Sequence, residues 1–162
     1  MFLLNSHYNY FGDYMRVYYL FKVNNYFYYM YKNKPFKMYK MLEEIYHTKN
    51  SDVVLTYRMF EQIASPFNKN KVNNYIDNYL KDRVYYMRSN NIHLISNNIE
   101  YSKLSVGNSN LKIKTNINFT SFFDILDNYT DNIFVCDFIN KDYFWLQNIS
   151  KKDRQKHVYL VK

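Results

Sequence analysis

Asp124, Asp137 and Asp142, with Lys141 beside the last, are the residues whose types come nearest to doing chemistry. Carboxylates that converge on one point can hold Mg²⁺ and activate water against a phosphodiester, the work of a metal-dependent nuclease. Asp137 and Asp142, however, flank a sequence that reads as a hairpin turn, where acids occur for structural reasons. His7, His47, His93 and His157 lie far apart, with no i,i+4 pair, and one cysteine cannot make a Cys-rich zinc site. Cys136 follows Ile133-Phe-Val and reads as a small buried thiol, since nothing nearby in sequence would lower its pKa. Gly12 and Gly107 stand alone, so neither a phosphate-cradling loop nor a nucleophile elbow can be built. No catalytic residue, metal or cofactor is assigned. The chain reads as a non-enzyme that works by contact.

Contact is what its aromatics suit. Twenty Tyr, thirteen Phe and one Trp exceed what a core of this size needs, so some rings must lie on the surface. The net charge of +8 is less telling. Lys, Asn, Tyr, Phe and Ile are all heavily used, as AT-rich codons would dictate, and the same bias discounts part of the aromatic excess. The densest lysines, Lys32, Lys34, Lys37 and Lys40, read as the solvated side of two helices. They could instead border an interface with an acidic partner, raising the on-rate more than the affinity. Apolar runs are only a few residues long, whereas a membrane helix needs about 20. The start, Met-Phe-Leu-Leu-Asn, lacks the pattern of a signal peptide. A lone cysteine suits a cytoplasmic protein.

The positioning elements follow from period and punctuation. Residues 1–14 show no period and read as a flexible extension; 150–162 form a basic tail; 15–149 make one domain. Arg16–Val23 is β-branched and aromatic, a strand. Asn24 or Asn25 can cap a helix over 26–31, and Pro35 opens another over 35–48. On that second helix Phe36, Tyr39, Leu42, Glu43 and Tyr46 recur at helical spacing. Ser51 opens a third, with Asp52 in its first turn and a buried stripe of Val54, Leu55, Met59, Phe60 and Ile63. A fourth, 69–81, turns Val72, Tyr75, Ile76, Tyr79 and Leu80 inward.

The period then changes to two. Strands are expected over 83–87, 92–95, 100–106 and 110–115, with Leu111 and Ile113 alternating against Lys112 and Lys114 as on a sheet with one wet face. Thr120 or Ser121 caps a helix running through Tyr129. Residues 132–138 and 143–146 close the domain as a hairpin. The whole is an α+β single domain: a mostly antiparallel sheet, an N-terminal helical block, and one helix before the closing hairpin.

Tyr26-Phe-Tyr-Tyr-Met-Tyr31 is the anomaly. Five of its six residues are aromatic, and no helix face can bury them all. Phe27, Met30 and Tyr31 would fill the core if the others are stray surface rings; otherwise part of this face binds a partner. Trp145 is either a core anchor with its N–H bonded or a rim residue beside that patch.

These segments also carry a resemblance. Arg16-Val-Tyr-Tyr-Leu-Phe, Tyr26-Phe-Tyr-Tyr-Met-Tyr31 and Phe36-Lys-Met-Tyr-Lys-Met-Leu42 look like the opening of the sporulation inhibitor of replication (SirA) family. Gln62-Ile-Ala-Ser-Pro66 is similar to its Ile-Thr-x-Pro turn, and Phe134–Phe138 with Tyr143-Phe-Trp-Leu146 resembles its closing strand pair. Together they cover about Met15 to Asn148. The resemblance implies a small cytoplasmic protein, not an enzyme, that binds the N-terminal domain of the replication initiator DnaA and blocks initiation as cells commit to sporulation. It implies that Phe27 and Tyr31 touch the initiator, with Gln62, Trp145 and Asn148 near the same surface. Where the family continues Trp-Leu-Asn-Pro, this chain has Trp145-Leu-Gln-Asn148, so the loop differs there. The expected partner is thus a protein, with no membrane and no direct nucleic acid. Two other readings stand beside it: a basic nucleic-acid-binding or toxin-like protein, and a nuclease using Asp137 and Asp142.

Overall fold

Apolar side chains on both sides of β1 (Arg16–Lys22) make it the spine of the molecule. Tyr18 and Leu20 point to one face of the sheet, Tyr19 and Phe21 to the other. A strand apolar on both faces must be covered on both.

The computed structural model describes residues 14–48 and 52–149. After β1 come α1 (Asn25–Tyr31), α2 (Pro35–His47), α3 (Val53–Ile63) and α4 (Lys69–Leu80). Then follow β2 (Tyr86–Ser89), β3 (Ile92–Ser96), β4 (Tyr101–Val106), β5 (Leu111–Thr115), α5 (Ser121–Asp127), β6 (Ile133–Asp137) and β7 (Asp142–Trp145), closed by a 3₁₀ turn (Leu146–Asn148). The strands form one sheet in the order β2-β3-β4-β5-β1-β6-β7, each neighbouring pair antiparallel. This is the α+β architecture that the change of period predicts. The expected tail from 150, and the N-terminal extension up to residue 13, lie outside the described residues. Tyr14 is described, and its hydroxyl donates to Asn140 Oδ1 at 3.1 Å.

Two cores flank the sheet. On one face α4 and α5 pack Val72, Ile76, Leu80, Phe122, Phe123 and Leu126 onto Leu20, Leu104, Leu111 and Ile113. Asn68 caps α4 and Thr120 caps α5, each accepting from a first-turn backbone N–H. On the other face α1–α3 cover only the β1-β6-β7 side, over Phe21, Phe134, Cys136 and Trp145. Lys112 and Lys114 therefore stay exposed beside buried Leu111 and Ile113, as their alternation implies.

Several expected faces differ. The stripe expected on α3 is not buried: Val54 and Leu55 are 69% and 63% exposed, and only Ile63 is fully covered. The reason is where α3 is anchored. Its C-terminal end meets the sheet through the Val23–Ala64 bridge and a 2.7 Å bond from Ser65 N–H to Lys22 C=O. Its N-terminal half stands off, leaving a groove of about 360 Å³ bordered by Tyr19, Leu42, Tyr46 and Val53. Asp52 precedes the helix without a side-chain cap bond, instead of lying in its first turn; Ser51 lies outside the described residues. On α2 the buried residues are Met38, Tyr39 and Leu42, while Phe36 and Tyr46 are exposed, because that helix turns Met38 rather than Phe36 toward the core. Tyr79 on α4 is exposed too, one position off the Val72-Ile76-Leu80 row.

Candidate functional site

α1 is held at both ends and only partly covered between them. Asn24 Oδ1 accepts from Phe27 N–H at 3.0 Å, capping the helix. The Asn24 backbone N–H donates to Ile63 C=O at 2.9 Å, and its side-chain amide donates to Gln62 C=O. The start of α1 is thereby tied to the end of α3. At its other end Lys34 N–H donates to Tyr31 C=O at 2.8 Å, turning the chain into Pro35.

No residue of α1 is fully buried. Tyr28 faces inward: its ring meets Trp145 edge-on at 5.0 Å, and Trp145 in turn meets Phe134 at 4.7 Å. Phe27 and Tyr31, one turn apart, stack at 5.7 Å with planes 17° apart, half-buried against the α1–α3 core. Tyr26 and Tyr29 face solvent, and Met30, expected inside, is 46% exposed. Tyr28 takes the inward place because it lies on the turn that meets Trp145. Lys32 Nζ sits 5.5 Å over the Tyr29 ring, a cation on an aromatic face that orients both.

Trp145 is only 1% exposed, which decides between its two readings in favour of the core and against the rim. It is a core anchor, but its Nε1 has no hydrogen-bond partner among the described residues, contrary to the bonded N–H expected of one. Its effect on α1 passes through Tyr28. Gln62 is exposed at the α1–α3 junction. Asn148 is exposed but lines a cleft with Tyr18, Asn118 and Phe144, on the side of the α4–α5 core. Its neighbour Gln147 instead lines the cleft of about 840 Å³ beside α1, with Tyr28, Tyr29, Lys32 and Ser65. The structure thus gathers Phe27, Tyr31, Gln62 and Gln147 around α1 and sets Asn148 apart. Gln147 was missed because adjacent residues of a 3₁₀ turn point in different directions, and nothing in their types tells them apart.

The acids that could do chemistry already have partners. Asp137 Oδ2 accepts from Arg16 Nε at 2.9 Å and from Asn140 Nδ2 at 2.6 Å; its Oδ1 accepts from the backbone of Ile139 and Asn140. Burial opposes the Asp137 charge, yet the bonds from Asn140 and Arg16 outweigh it and hold the carboxyl below its usual range. Asp142 Oδ2 takes the other arm of Arg16 at 2.8 Å. Both acids are committed to one guanidinium that locks β1 to the β6–β7 hairpin. Asp124 lies in the first turn of α5. Among the described residues no group of three or more His, Cys, Asp or Glu could hold a metal ion. Cys136 is buried, and burial pushes its thiol well up, away from the reactive thiolate. Among the described residues no helix is long and apolar enough to cross a membrane.

No curated protein matches the chain. A family model described as sporulation inhibitor of replication protein SirA matches residues 16–150. That span holds every strand and helix among the described residues and the aromatic site on α1, so the chain belongs to the SirA family of sporulation inhibitors of replication.

Proposed function

We propose that this protein inhibits the initiation of DNA replication by binding the N-terminal domain of the initiator DnaA through the Phe27/Tyr31 face of α1. The family is one of regulatory inhibitors, which fits a protein that acts by occupying a surface. The observation that carries the reading is α1 itself: an aromatic helix, capped and tied down at both ends, with no fully buried residue. Rigid rings with polar tips, fixed in place before binding, cost little entropy to dock. Gln62 stands where α3 meets the α1 cap, Gln147 lines the cleft beside Tyr28 and Tyr29, and Trp145 supports Tyr28 from the core. Docking there would mask a surface the initiator needs for assembly, and it requires no cofactor. The protein would act in the cytoplasm, where the initiator works.

The test is titration calorimetry against the isolated N-terminal domain of the host's DnaA. Saturable binding, lost in a folded Tyr31→Ala variant, is the expected result. No heat at high concentration, with both proteins folded, would reject the reading.

A second reading, nucleic-acid binding, draws on the uncovered face of the sheet. Lys103, Lys112 and Lys114 stand exposed there, Lys103 opposite Lys114, and β2–β5 contain no acid. It predicts binding to DNA or RNA that weakens steeply with salt, with a log–log slope of about −0.9 per phosphate contacted on duplex DNA. Absence of binding at low salt would exclude it.

A further inference from the structure

We propose that the docking surface extends beyond α1 along one flank of α3, through Leu55, Met59 and Gln62, and that the same protein partner covers it with an apolar helical face. This rests on the reading of the Phe27/Tyr31 face above.

The N-terminal part of α3 is a misfit. Val53-Val54-Leu55 is a run of aliphatic residues on a helix, and all three are exposed, by 53%, 69% and 63%. Met59 is exposed by 37%. A chain that needed these residues only for its own core would have covered them, and such runs left open mark interaction surfaces. α3 has three sides. Thr56, Phe60 and Ile63 face the body, where Phe60 meets Phe21 at 5.9 Å. Tyr57 and Glu61 line a cleft with Asn108 and Ser109, toward the β4–β5 turn. Leu55, Met59 and Gln62 stand at i, i+4 and i+7, and so form one row on the remaining flank.

That row ends at α1. The Gln62 and Ile63 carbonyls accept from Asn24, the α1 cap, so the last residue of the row and the first turn of the aromatic helix are bonded together. An apolar row that runs into the aromatic patch makes one continuous surface. A partner seated on Phe27 and reaching Gln62 meets Met59 one turn further on and Leu55 one turn beyond that. Leu55 and Met59, with exposed Arg58 and Gln62 at their edge, suit a helix with apolar side chains at its centre and a polar rim.

The experiment compares four proteins by calorimetry against the isolated N-terminal DnaA domain: the native chain, Leu55→Asp/Met59→Asp, Met59→Glu alone, and Tyr31→Ala. The altered α3 side chains are exposed, so the melting temperatures should stay close to that of the native chain, and the single variant serves if the double one misfolds. We expect the double variant to weaken binding at least about tenfold. Affinity within about twofold of native in the folded α3 variants, with Tyr31→Ala still losing binding, would overturn this extension and leave the α1 reading standing. No binding by the native chain would remove both. Sedimentation is the control for self-association: a native dimer that the double variant dissolves would assign this flank to a second copy and overturn the proposal.

Discussion

The two faces of the sheet are built to different standards. Under α4 and α5 the buried side chains are mostly aliphatic, and Leu20, Leu104, Leu111, Ile113, Phe122 and Phe123 are wholly covered. Under α1–α3 the core is smaller and half aromatic; partly exposed rings rim both faces, but here Phe27, Tyr28, Tyr31, Phe60 and Tyr143 stand over a core of other rings rather than of aliphatics. On the proposed function, the difference separates the face that stabilises the fold from the face that recognises a partner. Close-packed aliphatics stabilise a fold and offer nothing to a partner. Rings left partly open contribute less to folding and can still lose water to another surface.

The largest effect should come from cutting into the closed face. Phe122→Ala should destabilise the fold by about 3–5 kcal/mol, by lost transfer energy plus the cavity left behind. Urea denaturation measures it, and initiator binding by the folded fraction should be unchanged. A loss under about 1 kcal/mol would mean that this face is less tightly packed than its burial suggests.

On the open face the sign of the comparison reverses. Tyr31→Ala should cost no more than about 1 kcal/mol of stability but at least ~2 kcal/mol of binding. A variant that unfolds without losing affinity would erase the distinction between the faces.

The closed face also has an acid-sensitive point. His93 is fully buried, with Nε2 2.9 Å from Asn73 Oδ1 and Nδ1 2.6 Å from the Tyr86 hydroxyl. Burial first, then the nearby Arg88, hold its pKa down to about 4. The unfolded chain, with a histidine near 6.5, binds the proton sooner. Stability contributed here is complete above about pH 6.5 and falls as pH drops toward 4, by on the order of 2 kcal/mol. Denaturant titrations at several pH values measure this, and His93→Gln should flatten the slope in that window. An unchanged slope would place the acid sensitivity elsewhere.

The smallest expected effect sharpens the comparison at its seam. Asn24→Ala removes the cap of α1 and its tie to Gln62, and should cost about 1 kcal/mol. Because the loss falls on α1, amide exchange should speed up there and leave α4 and α5 protected. Uniform acceleration would show that the two faces open together.

Much of this architecture was legible from period and punctuation. The strand at Arg16, the Asn24 cap, Pro35 at the start of α2, and the alternation of Leu111 and Ile113 with Lys112 and Lys114 all stand where local rules place them. Of the candidate site, Phe27 and Tyr31 entered through the family resemblance, while their stacked, half-open packing was decided by the fold. The exposure of Met30, the burial of Trp145 and the divergence of Gln147 from Asn148 were not legible in the sequence.

The amino-acid sequence by itself determined which residues share a face, since helical and strand periods are properties of the local backbone. It also determined the absence of any glycine-built phosphate loop. Only the tertiary structure decided which faces are covered. α3 and α4 carry similar apolar rows, yet Val72, Ile76 and Leu80 are buried and Leu55 and Met59 are not. The physical reason is that burial depends on what the rest of the chain brings alongside. α4 lies along the sheet, whereas α3 is fastened to it at one end, by a bridge at Ala64 that no local pattern announces.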